Sequence, residues 1–262
     1  MIEKQRQQLI IDLLEEQQFA SVQDLCHQLK ASEATIRRDI VKLANNNKIK
    51  KIRGGVETIK EKQYFSGKTH LKGSVFLAEM EERTDAKRRI AEKAVKLCEQ
   101  GESIIINGGT STFMMCEFLF DRELKILTNS FYLATELAIK SQNQLTLPGG
   151  EIYRKQGIIL SAFDNDSIAH YHATKMFMGT PAIGKYGVME SDPLLVRAEQ
   201  KLLKQSEKLI ILADSSKIGK RSNLIVGPLS CVDLLITDDQ VDDKAVSFFE
   251  GEGVKVLVAE SK

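Results

Sequence analysis

The sequence predicts an α/β chain in two parts, a small helical N-terminal segment and a larger domain on a largely parallel sheet. Three observations carry this. From Glu81 onward, helix-period segments alternate with short apolar runs, SIIIN, LKILTN, QLTLPGG, KLIILADSS, LLITD and VKVLVA, which is the signature of βα units. Before that point the chain is rich in Lys, Gln and Asn and has no strand-like alternation ahead of the glycine pair Gly54-Gly55. Between the two, residues 60–80 (KEKQYFSGKTHLKGSVFLAEM) are polar and broken by Gly67 and Gly73, and read as a linker. The expected divisions are 1–58, a linker over 59–80, and 81–262.

The composition bounds what the chain can be. With 262 residues, 42% hydrophobic and 28% charged, it can bury a sizeable core and has the make-up of a globular protein. The formal net charge is +1, so any affinity for nucleic acid must come from a local basic patch. The opening, MIEKQRQQLIIDLLEEQ, mixes charge with apolar residues and excludes the continuous core of a signal peptide. No apolar run approaches the ~20 residues that span a bilayer. Cys26, Cys98, Cys116 and Cys231 are scattered without a C-x-x-C pair, as expected of reduced, buried thiols in a cytoplasmic protein.

In the N-terminal segment, Ser21 with Asp24 three residues on marks a capping-box helix start. Val22, Leu25, Cys26 and Leu29 then fall on one helical face. Lys30-Ala31-Ser32 interrupts the pattern, and Ser32 can cap a second helix. In that helix Ile36, Ile40 and Leu43 form the buried stripe, leaving Thr35, Arg37, Arg38 and Lys42 on the other faces. A preceding helix with Ile10, Leu13 and Leu14 on one side completes a three-helix core. Helix, tight turn and helix, with arginines near the second start, is the arrangement that enters a DNA major groove. Arginine's planar fork suits guanine O6 and N7. The next stretch, NKIKKIRGGVETI, reads as a β-hairpin wing whose Lys48, Lys50, Lys51 and Arg53 would neutralise phosphates. Residues 1–62 hold twelve Lys/Arg against nine Asp/Glu, the excess falling after Ile36. A pair of arginines alone would read as a solvated helix face. Capped helix, turn, arginine pair and basic hairpin together read as a winged helix-turn-helix.

In the larger domain the stretch INGGTSTF ends an apolar strand in Asn107, Gly108 and Gly109, followed by Thr110, Ser111 and Thr112. Strand carboxyl ends are where α/β folds place ligands, and free N–H groups at a helix start favour a phosphate. Other strand ends are polar too: Thr128-Asn129-Ser130, Gly149-Gly150-Glu151 and Asp214-Ser215-Ser216-Lys217. If they converge, a small phosphorylated polyol would find phosphate donors at residues 107–112 and partners for its hydroxyls in Asn129, Asp192 and Lys217. His170 and His172 would share a strand face, but no nearby cysteine or carboxylate completes a metal tetrad, so no metal is expected. Met114 and Met115 between Phe113 and Phe118 read as core, and EGEGVKV as a turn into the last strand. TPAIGKYGVMESDP (180–193), with two prolines, is expected to shape ligand specificity.

The N-terminal segment resembles the DeoR family of bacterial transcription regulators. The resemblance rests on Arg6, on Ser32-Glu33-Ala34-Thr35-Ile36-Arg37-Arg38-Asp39-Ile40, and on the basic stretch from Lys48 to Gly55. It continues in family order through Glu82-Arg83-Thr84, Lys87-Arg88-Arg89-Ile90-Ala91, Asn107 to Thr112, Thr128-Asn129-Ser130, Gly149-Gly150 and Ala213 to Gly219. The combination of Ala198-Glu199-Gln200-Lys201 with Asp214 to Gly219, and Asn47 to Arg53, is similar to the branch that governs L-ascorbate utilisation. The family implies a repressor of a sugar or sugar-acid operon with two partners, double-stranded operator DNA and a phosphorylated sugar effector, L-ascorbate 6-phosphate among the options. It implies a homo-oligomer, dimer or tetramer, no cofactor and an isomerase-like second domain. The competing reading is a sugar-phosphate isomerase using Asp192 or Glu190 as base with Lys217. The attached DNA-reading segment favours sensing over conversion.

Overall fold

The computed structural model describes residues 3–17, 19–46, 48–58, 71–161 and 167–261. The chain forms two compact units, Met1–Gln63 and Tyr64–Lys262. No described helix is long and apolar enough to cross a membrane. Asn47 and residues 59–70, which include most of the expected linker, lie outside the described residues.

The first unit runs α1 (Glu3–Gln17), β1 (Phe19–Ser21), α2 (Val22–Leu29), α3 (Glu33–Asn45), β2 (Ile49–Ile52) and β3 (Gly55–Thr58). Ser21 and Asp24 form a reciprocal capping box at the start of α2, satisfying two otherwise orphaned N–H groups. Lys30 ends α2 in the left-handed region at φ 48°, and Ser32 accepts the Thr35 N–H to start α3 (3.3 Å). Ile10, Leu14, Leu25, Ile36, Ile40 and Leu43 close the three-helix core, with Ile49 and Val56 of the hairpin beneath them. β1 was not expected. It pairs with β3 to give the order β1-β3-β2, and three residues are too few to display an alternation. A Cβ on Gly55 would stand 2.5 Å from the Ala20 carbonyl, so the second glycine of the pair admits that strand.

One polar residue joins this core. Asp39 is 1% exposed and accepts from Arg6 Nε at 2.5 Å and Gln7 Nε2 at 3.2 Å. The aspartate of the arginine-arginine-aspartate run therefore fastens α1 to α3 and sets how α3 presents its arginines.

In the second unit a seven-stranded parallel sheet is formed by β4 (Ser103–Ile106), β5 (Lys125–Thr128), β6 (Gln144–Thr146), β9 (Lys175–Gly179), β12 (Leu209–Leu212), β14 (Leu234–Asp238) and β15 (Lys255–Ala259). Its order is β15-β14-β12-β9-β4-β5-β6. β7 (Glu151–Tyr153) and β8 (Ile158–Leu160) form a hairpin, and β10 (Ala182–Gly184), β11 (Gly187–Glu190) and β13 (Leu224–Gly227) a small antiparallel sheet. Strands buried on both faces read as continuous apolar runs, and side chains alternate between two cores accordingly. Ile104, Ile106, Ile126 and Phe177 face α4 (Phe76–Glu81), α5 (Thr84–Val95), the single turns α6 (Thr110–Phe113) and α7 (Cys116–Leu119), and α8 (Phe131–Lys140). Ile105, Leu127, Met176 and Ile211 face α9 (Pro193–Leu203), α10 (Asp243–Gly251) and the small sheet.

Several expectations are revised here. β9, the central strand, was not read from sequence. The end of the stretch expected as linker is helix α4, whose Phe76 stacks on Tyr132 at 4.4 Å. His170 closes a 3-10 turn, and His172 meets Glu207 at 3.0 Å, so the two histidines share no strand face. Met114 and Met115 are buried. Cys98 and Cys116 are buried, while Cys26 and Cys231 are only partly so, and all four are free thiols.

The Asp39 contact makes a differential prediction. Asp39→Ala deprives Arg6 and Gln7 of a buried acceptor, whereas Arg37→Ala removes only an exposed pair with Glu33. Thermal melts of the full chain should show a midpoint loss of roughly 3 °C or more for Asp39→Ala and under about 1 °C for Arg37→Ala. Equal shifts would contradict the fastening role.

Candidate functional site

The first unit carries a basic face on α3 and the wing. Arg37, Arg38, Lys42, Lys48, Lys50, Lys51 and Arg53 are all exposed. Arg37 is held by Glu33 (2.6 Å), Lys42 by Glu3 (2.7 Å) and Lys50 by Glu57 (2.7 Å). Arg38, Lys48, Lys51 and Arg53 form no ion pair among the described residues. Ser32 and Thr35 spend their hydroxyls on each other (2.8 Å) at the cap of α3. Arg37 of α3 and Lys51 of β2 border one hollow of about 70 Å³, so helix and wing place cations side by side.

The second unit carries a polar cleft of about 320 Å³. From β4 the chain proceeds to β5 and β6 on one side and to β9, β12, β14 and β15 on the other. The crevice between β4 and β9 is thus the sheet's switch point, where α/β folds bind ligands. Asn107, Gly108, Gly109, Thr110 and Ser111 after β4 face Gly179 at the end of β9 and Thr180 and Pro181 beyond it. Asn107, 1% exposed, spans the crevice. Its Oδ1 accepts the Gly179 N–H (3.1 Å) and its Nδ2 donates to Glu199 Oε1 (3.3 Å). Asn129 Oδ1 accepts the Gly108 N–H at 2.8 Å. A Cβ on Gly108 would fall 1.9 Å from Ile158 Cδ1, which explains one glycine of the pair by packing.

The expected phosphate site is smaller than a helix N-terminus. α6 is a single turn, so the aligned dipole of a long helix is missing. What remains are its first N–H groups, which have no intrahelical acceptor. Two cations supplement them. Lys217 lines the cleft from the turn after β12, and Lys87 from α5. Lys87 is 3% exposed and donates to the Glu79 carbonyl. Burial pushes its pKa down, partly offset by the negative Asp214 and reinforced by Lys217.

Carboxyl groups gather elsewhere in the cleft. Glu190 Oε1 accepts from Ser191 N (2.6 Å), Ser191 Oγ (3.1 Å) and Asp192 N (3.3 Å). Glu199 is 6% exposed; burial raises its pKa well above the carboxylate range, and the neighbouring charge of Glu190 raises it further. Glu79 and Glu82 complete the acidic lining. Arg83, next to Glu82, adopts a left-handed backbone at φ 52°, an arrangement that costs ~1–2 kcal/mol for a residue with a side chain. Its Nη2 donates to Ser215 Oγ (2.8 Å), Asp238 Oδ2 (2.8 Å) and Gln240 Oε1 (2.9 Å), tying the start of α5 to the ends of β12 and β14.

The sequence-expected ligand residues divide. Asn107, Gly108, Gly109, Thr110, Ser111, Asn129 and Lys217 line the cleft. Thr112 is fully buried and spends its hydroxyl on the Asn107 and Gly109 carbonyls. Ser130 caps α8 by accepting the Leu133 N–H. Asp192 caps α9 and accepts the Tyr153 hydroxyl at 2.7 Å. Gly149 and Gly150 line an adjoining cavity of about 1250 Å³ bounded by the β7-β8 hairpin and α9, which shares Asn129 and Ala198 with the cleft. A Cβ on Gly150 would lie 2.1 Å from the Leu160 carbonyl, so that glycine answers to backbone packing. Lys87, Gly179, Thr180 and Glu199 were not among the expected ligand residues. Lys87 and Glu199 stood in quoted motifs, while Gly179 ends the unrecognised strand β9 and Thr180 follows it. Among the described residues no group of three His, Cys, Asp or Glu could hold a metal ion.

Comparison with known proteins bears on both units. Residues 6–62 match a DeoR-like helix-turn-helix domain and residues 82–239 a DeoR C terminal sensor domain. The HTH-type transcriptional regulator UlaR of Shigella dysenteriae serotype 1 is 32% identical over 257 residues, covering 98% of this chain and 99% of that protein. The UlaR proteins of Salmonella arizonae and Escherichia coli match at the same identity and coverage. Ribose 5-phosphate isomerase A of Methanocaldococcus jannaschii aligns with 53% of this chain and 56% of its own at 15% identity and a TM-score of 0.40, too slight a likeness to argue from.

The burial of Lys87 separates stability from binding. Lys87→Met keeps the stem and removes a cation that burial disfavours, so the thermal midpoint should rise by about 2 °C or more near neutral pH. The gain should shrink as pH rises through the depressed Lys87 pKa towards the unfolded-state value, because the folded lysine then sheds its charge. Inorganic phosphate binding, read by calorimetry, should weaken in the same variant. A lower midpoint would show that the charge is stabilised in the folded state.

Proposed function

The chain belongs to the DeoR family of transcriptional regulators, and on that premise we propose that it represses a sugar or sugar-acid utilisation operon until a phosphorylated sugar occupies the switch-point cleft. It is a DNA-binding regulator with a small-molecule sensor domain, not an enzyme. The observation that carries the effector reading is the cleft's chemistry. Unpaired N–H groups and the ammonium groups of Lys87 and Lys217 suit a phosphate, and the carboxyl and amide groups of Glu190, Glu199 and Asn129 suit hydroxyls. The likeness to the branch governing L-ascorbate utilisation makes L-ascorbate 6-phosphate the first effector to try.

On this reading residues 1–58 are the reading head and 81–262 the sensor. Arg37 and Arg38 read bases, with Ser32, Thr35 and Lys42 positioning the helix, while Lys48, Lys50, Lys51 and Arg53 neutralise phosphates. A homodimer or tetramer presents paired heads to a pseudo-palindromic operator, since half-site symmetry mirrors protein symmetry. The setting is the cytoplasm, where operator and phosphorylated metabolites meet.

Two sets of variants test this. Arg38→Ala should weaken operator binding by tenfold or more, about the worth of one good base contact, with little change on random DNA. A uniform loss on both would reduce Arg38 to a phosphate contact. Lys51→Ala should flatten the slope of log affinity against log salt by ~1; an unchanged slope would remove the wing from the interface. On the sensor side, the Gly109 backbone is extended, with φ 171°, and a Cβ there would meet Thr112 Oγ1 at 3.3 Å and little else. Gly109→Val should therefore fold, fill the cleft and abolish the response of operator binding to sugar phosphate in a gel shift. A normal response would move the sensor elsewhere.

A further inference from the structure

The polar groups around Glu199 define its proton. The Gly179 N–H can only donate, so Asn107 must turn Oδ1 towards it and Nδ2 towards Glu199. Glu199 Oε1 is thereby an acceptor. Its Oε2 is buried and has no hydrogen-bond partner among the described residues. Glu190, on β11, already takes three donors on Oε1 and stands close enough to oppose a second charge. An ionised Glu199 would leave a buried anionic oxygen unpaired beside another carboxylate, the costliest arrangement available to it. A protonated Glu199 leaves instead one O–H donor without an acceptor.

The charges lining the cleft fall into two neighbourhoods. Lys87 comes from α5 on one face of the sheet, whereas Glu199 comes from α9 on the other, with Glu190 of β11 lining the cleft beside it. The cations thus act at one part of the cleft and the carboxyl pair at another. Resting on the effector reading of this cleft, we infer that Glu199 determines its specificity: a neutral carboxyl whose Oε2 hydroxyl donates to an uncharged oxygen of the effector, away from its phosphate. The effector class is then a sugar monophosphate with a hydroxyl or carbonyl oxygen at its far end. A second phosphate there would meet Glu190 and be repelled. Glu199→Gln preserves the shape and an N–H donor in place of the hydroxyl, and Glu199→Leu removes the donor.

The test uses the full chain with two readouts. In infrared difference spectra of wild type minus Glu199→Gln at neutral pH, a protonated-carboxyl band is expected; a carboxylate band overturns the inference whatever binds. Calorimetry with L-ascorbate 6-phosphate, D-ribose 5-phosphate and inorganic phosphate gives the second. Glu199→Gln should bind the better sugar phosphate within about threefold of wild type, and Glu199→Leu about tenfold more weakly, the worth of a lost buried hydrogen bond. Both variants should bind inorganic phosphate as wild type does. Wild-type affinity should also fall as pH rises through the elevated Glu199 pKa, and Glu199→Gln should lose that dependence. If Glu199→Gln is as damaged as Glu199→Leu, or if neither differs from wild type, the inference fails while the effector reading survives. If wild type binds neither sugar phosphate, the effector reading fails, and this ligand class with it.

Discussion

The side chain of Asn107 is the constraint around which the sensor is arranged. The sheet's connections diverge between β4 and β9, and a crevice opens wherever adjacent strands send their chains in opposite directions. Asn107 crosses that crevice, accepting from the last backbone N–H of β9 and donating to α9. It holds the crevice at one width and fixes the orientation of Glu199. Asn129 performs the neighbouring task by accepting the Gly108 N–H, which settles the course of the loop before α6. A buried amide is expensive unless all its capacity is used. Here both asparagines are nearly inaccessible and both are engaged.

The same economy explains the charged residues at the rim. Arg83 holds an unfavourable backbone conformation in return for three hydrogen bonds to the ends of β12 and β14. This clamp delivers Glu82 and Lys87 to the cleft wall. Lys87 and Glu199 both sit where burial disfavours their charge. Groups kept at such a cost in stability mark ligand sites more often than structural ones. On the proposed function, their use would be to weigh a metabolite whose occupancy is felt by the reading head.

Much of this was legible in the sequence because local rules agreed with the fold. The capping box at Ser21, the cap at Ser32, the stripe of Ile36, Ile40 and Leu43, and the glycine turn of the wing appear where their patterns lie. β-branched runs such as SIII marked their strands. The central strand β9 escaped because its residues, Lys175-Met176-Phe177-Met178-Gly179, include no β-branched residue and end in glycine. Missing it hid the switch point, and with it half the cleft. Gly150 meets a backbone-packing constraint, and in sequence such a glycine is indistinguishable from one serving a ligand. Asp192 and Thr112 engage their side chains in capping and loop bonds, and such bonds are visible only in three dimensions. Asp39 sits on the stripe of α3 that sequence reserves for apolar residues, and its partners come from a helix over thirty residues away.

The central claim is that cleft occupancy and operator binding are coupled, and reciprocity tests it most directly. Effector affinity should be measured calorimetrically on the full chain, once alone and once saturated with its operator duplex. For a repressor released by its effector, the operator should weaken effector binding by the same factor as the effector weakens operator binding, commonly about 5- to 150-fold in coupled systems. An effector affinity unchanged by the operator would mean that the cleft and the arginine-bearing helix do not communicate.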